Sequence, residues 1–230
     1  MKRRTLLLSG GAALAAVGAY GGYTTLTGRD VPGMSALTPN AAYAQSTGNG
    51  DPVDTSRVQE MEQGNPDSAV TVIEFASFTC PHCAHFNQTV YRQLKEAYID
   101  TGLIRFIYRE VYFDAYGLWA AMVARCGGEM RYFGIVDMLY DEQNEWARGE
   151  DANAVADNLR RIGRRAGMTD DQLNACLTDR EMAMALMQVY QNNQREYNIP
   201  GTPSFVINGT TYSNMGFDEF AQIIDPLLEG

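Results

Sequence analysis

The fold is decided by residues 70–83, which read Val70-Thr71-Val72-Ile73-Glu74-Phe75-Ala76-Ser77-Phe78-Thr79-Cys80-Pro81-His82-Cys83. The run 70–75 is short and mostly apolar, which is typical of a strand buried on both faces. From Cys80 onward the apolar residues recur at the helical period, which predicts a helix that ends at Gly102. Residues 103–108 alternate and predict a second strand. Strand, helix and strand in close succession form a βαβ unit, so the two strands are expected to be parallel.

The rest of the chain predicts a block of helices and then the remainder of the sheet. Five helical patterns are found, at 115–126, 129–142, 152–166, 170–177 and 180–197. Strand character returns at 204–207, a hairpin turn at Asn208-Gly209 leads into 210–212, and a last helix covers 217–228. The order β-α-β, helices, β-β-α therefore predicts an α/β fold with an inserted helical block.

The N-terminus has the pattern of an export signal. A basic start, Lys2-Arg3-Arg4, precedes residues 5–28, which carry no charge. We assign residues 1–44 to an export signal that ends in a small-x-small cleavage motif, and 45–68 to a polar linker. The paired arginines are compatible with the twin-arginine route as well as with the Sec route. An uncleaved leader that anchors the protein in the membrane is the alternative to cleavage.

The charge and the length of the chain limit the classes of protein to which it can belong. The formal net charge is −10 at pH 7, which argues against nucleic acid as a partner because phosphate binding needs a basic face. Residues 45–230 suffice for one sizeable domain or for a domain with a large insert. The four cysteines lie in a chain that is expected to be exported, where disulfides persist. No pattern predicts a bound cofactor.

The two thiols of Cys80-Pro81-His82-Cys83 are the candidate reactive groups. A helix N-terminus offers unpaired N–H groups and a positive dipole end to a thiolate, so Cys80 is expected to be exposed there with a lowered pKa. Cys83, one turn on, is expected to be more buried and to act as the resolving thiol. His82 can add positive charge or a hydrogen bond. A zinc site would need a second close pair of ligands, and a structural disulfide over so short a loop would stabilise little.

Two stretches, 72–83 and Ile199-Pro200-Gly201-Thr202-Pro203-Ser204-Phe205-Val206, together resemble the DsbA family of periplasmic thiol:disulfide oxidoreductases. The resemblance rests on the Cys-Pro-His-Cys tetrapeptide and on the distant Thr-Pro before a strand. It implies a thioredoxin-like core, residues 69–113 and 198–230, interrupted by an all-helical domain, residues 114–197.

The resemblance also implies roles for individual residues. Cys80 would be the nucleophile and Cys83 the resolving thiol, and Pro203 would be a cis-proline that faces them. The backbone of Thr202 would then bind an extended substrate as a short added strand. Such contacts do not depend on substrate side chains, which suits an enzyme that acts on many unfolded proteins.

Glu74 interrupts an otherwise apolar strand just before the dithiol. A buried carboxylate is costly unless it is paired or protonated. One interpretation is a structural salt bridge, for which Arg109 after the next strand is a candidate. The other follows the family's buried acid, in which Glu74 helps to move the proton of Cys83.

The second pair of cysteines, Cys126 and Cys176, lies in the helical block. An unpaired thiol is a liability in an exported protein, so we expect a disulfide between them. Closing a loop of that length stabilises by about 4 kcal/mol in the chain-entropy model. Two free buried thiols are the alternative.

The sequence therefore predicts a dithiol oxidase of the periplasm that gives its Cys80–Cys83 disulfide to exported proteins. A reductase or isomerase on the same fold, and a peptide-binding chaperone, are the alternatives. The resemblance implies reduced or unfolded exported proteins as clients and a quinone-linked membrane reoxidase as partner. Isomerases of this kind often carry an N-terminal dimerisation domain. Residues 45–68 are too short and polar for one, so the oxidase is favoured over the isomerase. We expect a monomer.

Overall fold

The computed structural model describes residues 52–229, in which five strands form one sheet. The strands are β1 Met61–Gly64, β2 Thr71–Ala76, β3 Arg105–Glu110, β4 Ser204–Ile207 and β5 Thr210–Ser213. Helix α1 follows β2 as successive α and π segments, Pro81–Phe86, Asn87–Tyr91, Arg92–Leu94 and Lys95–Ile99. The later helices are α2 Ala115–Cys126, α3 Glu129–Asp141, α4 Gln143–Trp146, α5 Ala152–Arg165, α6 Asp170–Leu177, α7 Arg180–Tyr197 and α8 Phe217–Glu229.

The sheet order is β1-β3-β2-β4-β5, with β2 and β3 parallel and the other neighbours antiparallel. The parallel pair confirms the predicted βαβ unit, and its register places Glu74 beside Tyr108. Strand β4 lies on the other side of β2 in the opposite direction, so that Ser204 is opposite Phe75. The chain just before β4 therefore lies at the edge of the sheet where β2 ends and the dithiol begins.

Strand β1 lies within the segment that the sequence assigned to a linker, and that assignment was wrong for Met61–Gly64. The strand pairs antiparallel with β3. Met61 is buried in the core, Glu62 forms an ion pair with Arg105, and Gln63 accepts a hydrogen bond from Tyr91. A four-residue strand with two polar side chains gives no periodic signal, because its stability comes from distant partners.

The two faces of the sheet pack against different helices. On one face Phe205 contacts Phe86 of α1 and Phe220 of α8, with ring centroids 4.8 Å apart in each pair. On the other face Phe75 packs on Tyr197 of α7, with centroids 5.2 Å apart. Side chains alternate between the faces of a strand, so Glu74, between two residues of the second face, is directed into the first.

The helical block follows the predicted pattern closely, and the five predicted helices are confirmed as α2, α3, α5, α6 and α7. Side-chain caps define several starts, including a capping box between Thr169 and Gln172. The short helix α4 was not predicted. Two methionines of the block, Met130 and Met184, are exposed.

The predicted export signal, residues 1–44, and the first part of the predicted linker lie outside the described residues. Within residues 52–229, no helix combines the length and the apolar character that a membrane span requires. The export route, leader cleavage and the division into domains stay predictions.

Candidate active site

Cys80 is the N-cap residue of α1, and Pro81 follows in the first helical position. Proline suits that position because its fixed φ is helical and no N–H is needed there. The N–H groups of Cys83 and Ala84 donate to the Cys80 carbonyl, 3.1 and 3.2 Å away. The sulfur lies at the N-terminus of the helix, as predicted, where the N–H groups of His82 and Cys83 stabilise its thiolate. It is less exposed than expected, with only 9% of Cys80 accessible.

The Cys80 thiol is acidic, with its pKa lowered to about 5. The largest cause is a hydrogen bond from the Cys83 thiol, which stabilises the Cys80 thiolate. Burial opposes the shift, and the Thr202 hydroxyl and the N–H groups of Cys83 and His82 add to it. Hydrogen bonds to the charged form lower a pKa, so Cys80 is mainly a thiolate at neutral pH.

Cys83 has the opposite character, since it is fully buried and its thiol pKa is raised far above the ordinary range. The main cause is burial, followed by the hydrogen bond that its thiol gives to Cys80 and by the negative charge there. The two sulfurs therefore differ strongly in proton affinity. Only Cys80 combines partial access with a thiolate.

The Thr202–Pro203 peptide bond is cis, as the resemblance implied, and lies against the dithiol. The Thr202 carbonyl accepts a hydrogen bond from the Cys80 thiol at 3.4 Å. The Thr202 hydroxyl oxygen is buried and has no hydrogen-bond partner among residues 52–229. It lowers the pKa of both thiols, because its O–H can donate to whichever sulfur is ionised.

Glu74 is buried beneath the dithiol with 2% of its surface accessible, and burial raises its pKa to about 8. Its Oε1 has no hydrogen-bond partner among the described residues. The salt bridge to Arg109 suggested by the sequence is wrong. Arg109 instead binds both carboxylate oxygens of Glu60, at 3.1 and 2.7 Å. Glu74 therefore holds a proton at neutral pH, and its charge when ionised acts on Cys83.

Comparison with known proteins places this geometry in a family. Residues 56–226, most of the chain, match the family model described as Thioredoxin. This chain belongs to the thioredoxin family. Among solved structures it is similar to alpha-DsbA1 of Wolbachia pipientis, with a TM-score of 0.68 and 26% identity, over 75% of this chain and 92% of that chain. The predicted thioredoxin-like fold and the DsbA resemblance are confirmed.

Two further relatives bear on the chemistry of this thioredoxin-family protein. A protein-disulfide isomerase of Novosphingobium aromaticivorans gives a TM-score of 0.66 at 25% identity, over 73% of this chain and 97% of that chain. A relative from Rickettsia bellii, provisionally named a protein-disulfide oxidoreductase, is 32% identical over 171 residues, 74% of this chain. The chain spans 65% of the length of that relative.

The active-site loop of this family member is held by side chains that sequence patterns did not reveal. Gln143, buried on α4, donates to the carbonyl oxygens of Phe78 and Cys80 at 2.8 and 3.0 Å. Thr79 donates to the Asp114 carboxylate at 2.7 Å. Asp114 also accepts from the N–H of Gly117 and so caps α2. Of these contacts only the cap has a sequence signal, which is an acidic residue just before a helical pattern.

The remaining predicted residues lie at different places in the fold. The His82 side chain is exposed, and the contribution shown for His82 comes from its backbone N–H. Cys126 and Cys176 are bonded, which ties the C-terminal end of α2 to α6. That link closes the helical block on itself, and its bonded sulfurs take no part in the Cys80–Cys83 pair.

Proposed function

We propose that the protein is a thiol:disulfide oxidoreductase that introduces disulfides into exported proteins through Cys80 and Cys83. The observation that supports this is the difference in proton affinity between the two sulfurs. When the pKa of the first thiol is lowered by several units, the reduced dithiol is more stable than an ordinary dithiol. Each unit by which that pKa falls raises the two-electron reduction potential by roughly 30 mV. The disulfide form is then an oxidant.

The reaction follows from that difference. A client thiolate attacks Cys80 Sγ of the oxidised protein, a client–Cys80 bond forms, and the Cys80–Cys83 bond breaks. Cys83 leaves with the electron pair and takes up a proton, which the buried acid Glu74 can supply. A second client thiolate then attacks the client sulfur of the mixed disulfide. The client disulfide forms, and Cys80 leaves as a thiolate, so two electrons have passed from client to protein.

The loop at Thr202 and Pro203 has a proposed role in substrate binding. Its backbone lies beside Cys80, at the edge where an extended client segment can add main-chain hydrogen bonds. We assign the clients to reduced or unfolded exported proteins and the compartment to the periplasm. Reoxidation of Cys80–Cys83 would fall to a quinone-linked membrane protein.

An isomerase or reductase is the second candidate, and the similarity to a protein-disulfide isomerase favours its consideration. The two functions differ in the stability of the Cys80–Cys83 disulfide. An equilibrium with glutathione measures that stability. We expect a potential well above the roughly −270 mV of thioredoxin, and a value near thioredoxin's would overturn the oxidase assignment.

Turnover provides the direct test. Oxidised protein is mixed with a reduced, unfolded protein that has one native disulfide, and the loss of free thiols is followed. Wild type should oxidise one client dithiol per molecule, and Cys80→Ser should oxidise none. Cys83→Ser, loaded at Cys80 as a mixed disulfide, should still exchange that disulfide with a client thiol, although it cannot form the Cys80–Cys83 bond. A chaperone would instead protect its client equally well with Cys80→Ser.

A further inference from the structure

The turn that precedes the dithiol helix is held by a side chain of the helical insert. Residues 77–80 form this turn, which is closed by a hydrogen bond of 3.1 Å from the Cys80 N–H to the Ser77 carbonyl. Gln143 of α4 donates to the carbonyl oxygens of Phe78 and Cys80, at 2.8 and 3.0 Å. One side chain therefore spans the turn and reaches the main chain of the nucleophilic cysteine itself.

Both protons of the Gln143 amide are used in this contact. A glutamine amide has two N–H donors on its nitrogen and an oxygen that only accepts, and both partners of the nitrogen are carbonyl oxygens. A flipped amide would place its oxygen against the same two carbonyl oxygens, which have no proton to donate. The side chain is buried, with 6% of its surface accessible. The contact therefore has one orientation, and solvent competes little for it.

Helix α4 attaches Gln143 firmly to the rest of the insert. Trp146 of the same helix is completely buried, and its indole N–H donates to the Leu139 carbonyl of α3 at 2.7 Å. Glu142, the N-cap residue of α4, forms an ion pair with Arg165 of α5. Contacts with two neighbouring helices thus fix the position from which Gln143 reaches the turn.

The two hydrogen bonds of Gln143 hold the main chain on both sides of the Cys80 Cα atom. Cys80 is the N-cap residue, with φ −85° and ψ 118°, and the chain becomes helical after it. Its carbonyl also accepts from the N–H groups of Cys83 and Ala84, so this peptide group is tied to the insert as well as to α1. The bond to Phe78 fixes the turn before Cys80. The Cys80 sulfur then keeps only the rotation about its Cα–Cβ bond.

This restraint matters because a disulfide forms only within narrow limits of geometry. The two Cα atoms must lie about 4.4–6.8 Å apart, and the two Cβ atoms about 3.5–4.5 Å apart. Cys83 lies within α1 and is fully buried, so Cys80 is the partner whose main chain has room to move. Reacting groups that are held in place react faster, and a displacement of about 1 Å can cost roughly a hundredfold in rate.

We propose that Gln143 is a positioning residue for the closing of the Cys80–Cys83 disulfide, the step that reoxidises the dithiol. In this step Cys83 loses its proton to solvent and attacks the sulfur of Cys80, which is bound to a sulfur of the oxidant. The Cys80–Cys83 bond forms, and the oxidant's sulfur leaves with the electron pair as a thiolate. Gln143 acts through the main chain of Cys80. The inference deepens the proposed function and rests on it.

The closing step can be followed with an aromatic disulfide, dithiobis(nitrobenzoate). Cys80 of the reduced protein attacks the reagent in a second-order step and releases one coloured thionitrobenzoate. Cys83 then attacks Cys80 and releases the second thionitrobenzoate in a first-order step. The first rate measures the reactivity of the Cys80 thiolate, and the second rate measures how well Cys80 is placed for attack by Cys83.

Gln143→Met keeps the length of the side chain and removes both donors. We expect its closing rate to fall roughly tenfold, which is about 1.4 kcal/mol and matches the net contribution of one hydrogen bond. The second-order rate should change little, because a Cys80 pKa of about 5 keeps that thiol ionised at neutral pH even if the pKa rises somewhat. A general loss of stability would not change one rate without the other.

Gln88→Met is the matched control. Gln88 of α1 donates to the Tyr140 carbonyl of α3 at 3.1 Å, so it also joins the core to the insert, but its partner lies outside the turn. This variant should close its disulfide at the wild-type rate.

A second variant, Gln143→Glu, tests the donors within one protein and decides the question if Gln143→Met does not fold. A protonated carboxyl has one O–H and can hold one of the two carbonyl groups, whereas a carboxylate only accepts. The closing rate of this variant, divided by that of wild type at the same pH, should therefore be highest at acid pH and fall as the carboxyl ionises.

The possible failures can be told apart. Wild-type closing in Gln143→Met, an equal loss in both of its rates, or equally slow closing in Gln88→Met would overturn the positioning role and leave the proposed function standing. A rate ratio that does not depend on pH in Gln143→Glu would do the same. If reduced wild type released no thionitrobenzoate, Cys80 would not be a reactive thiolate and the proposed function itself would fail.

Discussion

Replacing Thr202 with valine tests how the loop before β4 controls the dithiol. Valine keeps the shape of the side chain and removes the buried hydroxyl, which lowers the pKa of Cys80. A hydrogen bond to a charged group contributes about 1.5–3 kcal/mol, which corresponds to about one to two pKa units. The Cys80 pKa should therefore rise in Thr202→Val, and the reduction potential should fall by roughly 30–60 mV.

Two measurements on Thr202→Val are required. The absorbance of the thiolate near 240 nm gives the pKa of Cys80, and equilibration with glutathione gives the potential. Thr211→Val, an exposed threonine of β5, is the matched control and should leave both quantities unchanged. A potential equal to or above that of wild type, in a variant of unchanged stability, would contradict the assignment of the hydroxyl as a donor to the thiolate.

Two other predictions concern stability. Burial raises the pKa of Glu74 from 4.5 to about 8, so the contribution of its protonated form to stability is fully present below pH 4.5 and is lost as the pH rises to about 8. In Glu74→Gln the urea midpoint should therefore fall less between pH 5 and pH 8 than in wild type. A variant curve that runs parallel to the wild-type curve would refute this. Cys126→Ala with Cys176→Ala opens a loop with a sequence separation of 50 and should lower the free energy of unfolding by about 4 kcal/mol, whereas a loss below about 1 kcal/mol would show that the bridge constrains little.

The elements that could be predicted from the sequence are those whose signals are local. The helices of the insert begin at side-chain caps, such as Asp151 bonded to the N–H of Ala154 and Asp179 bonded to that of Met182. Apolar periodicity then continues to their ends. For the same reason β4 was found with its observed bounds, because an apolar run is followed by an Asn-Gly turn.

The features that escaped prediction depend on contacts between distant parts of the chain. The partner of Arg109 is Glu60, which the antiparallel placement of β1 brings beside β3. Gln143 acts on the active-site loop through two carbonyl groups more than sixty positions away in the chain. A polar strand or a lone buried glutamine has no pattern of its own, and only the assembled fold shows what it contacts.

The central claim is that the protein stabilises the thiolate form of Cys80. A titration of the reduced wild-type protein, followed by absorbance at 240 nm, tests this claim most directly. The bonded Cys126 and Cys176 do not titrate, and Cys83 stays protonated over the accessible range because burial raises its pKa. The account predicts one sulfur transition with a midpoint at about pH 5. A single transition near pH 9, the ordinary pKa of a cysteine thiol, would contradict it.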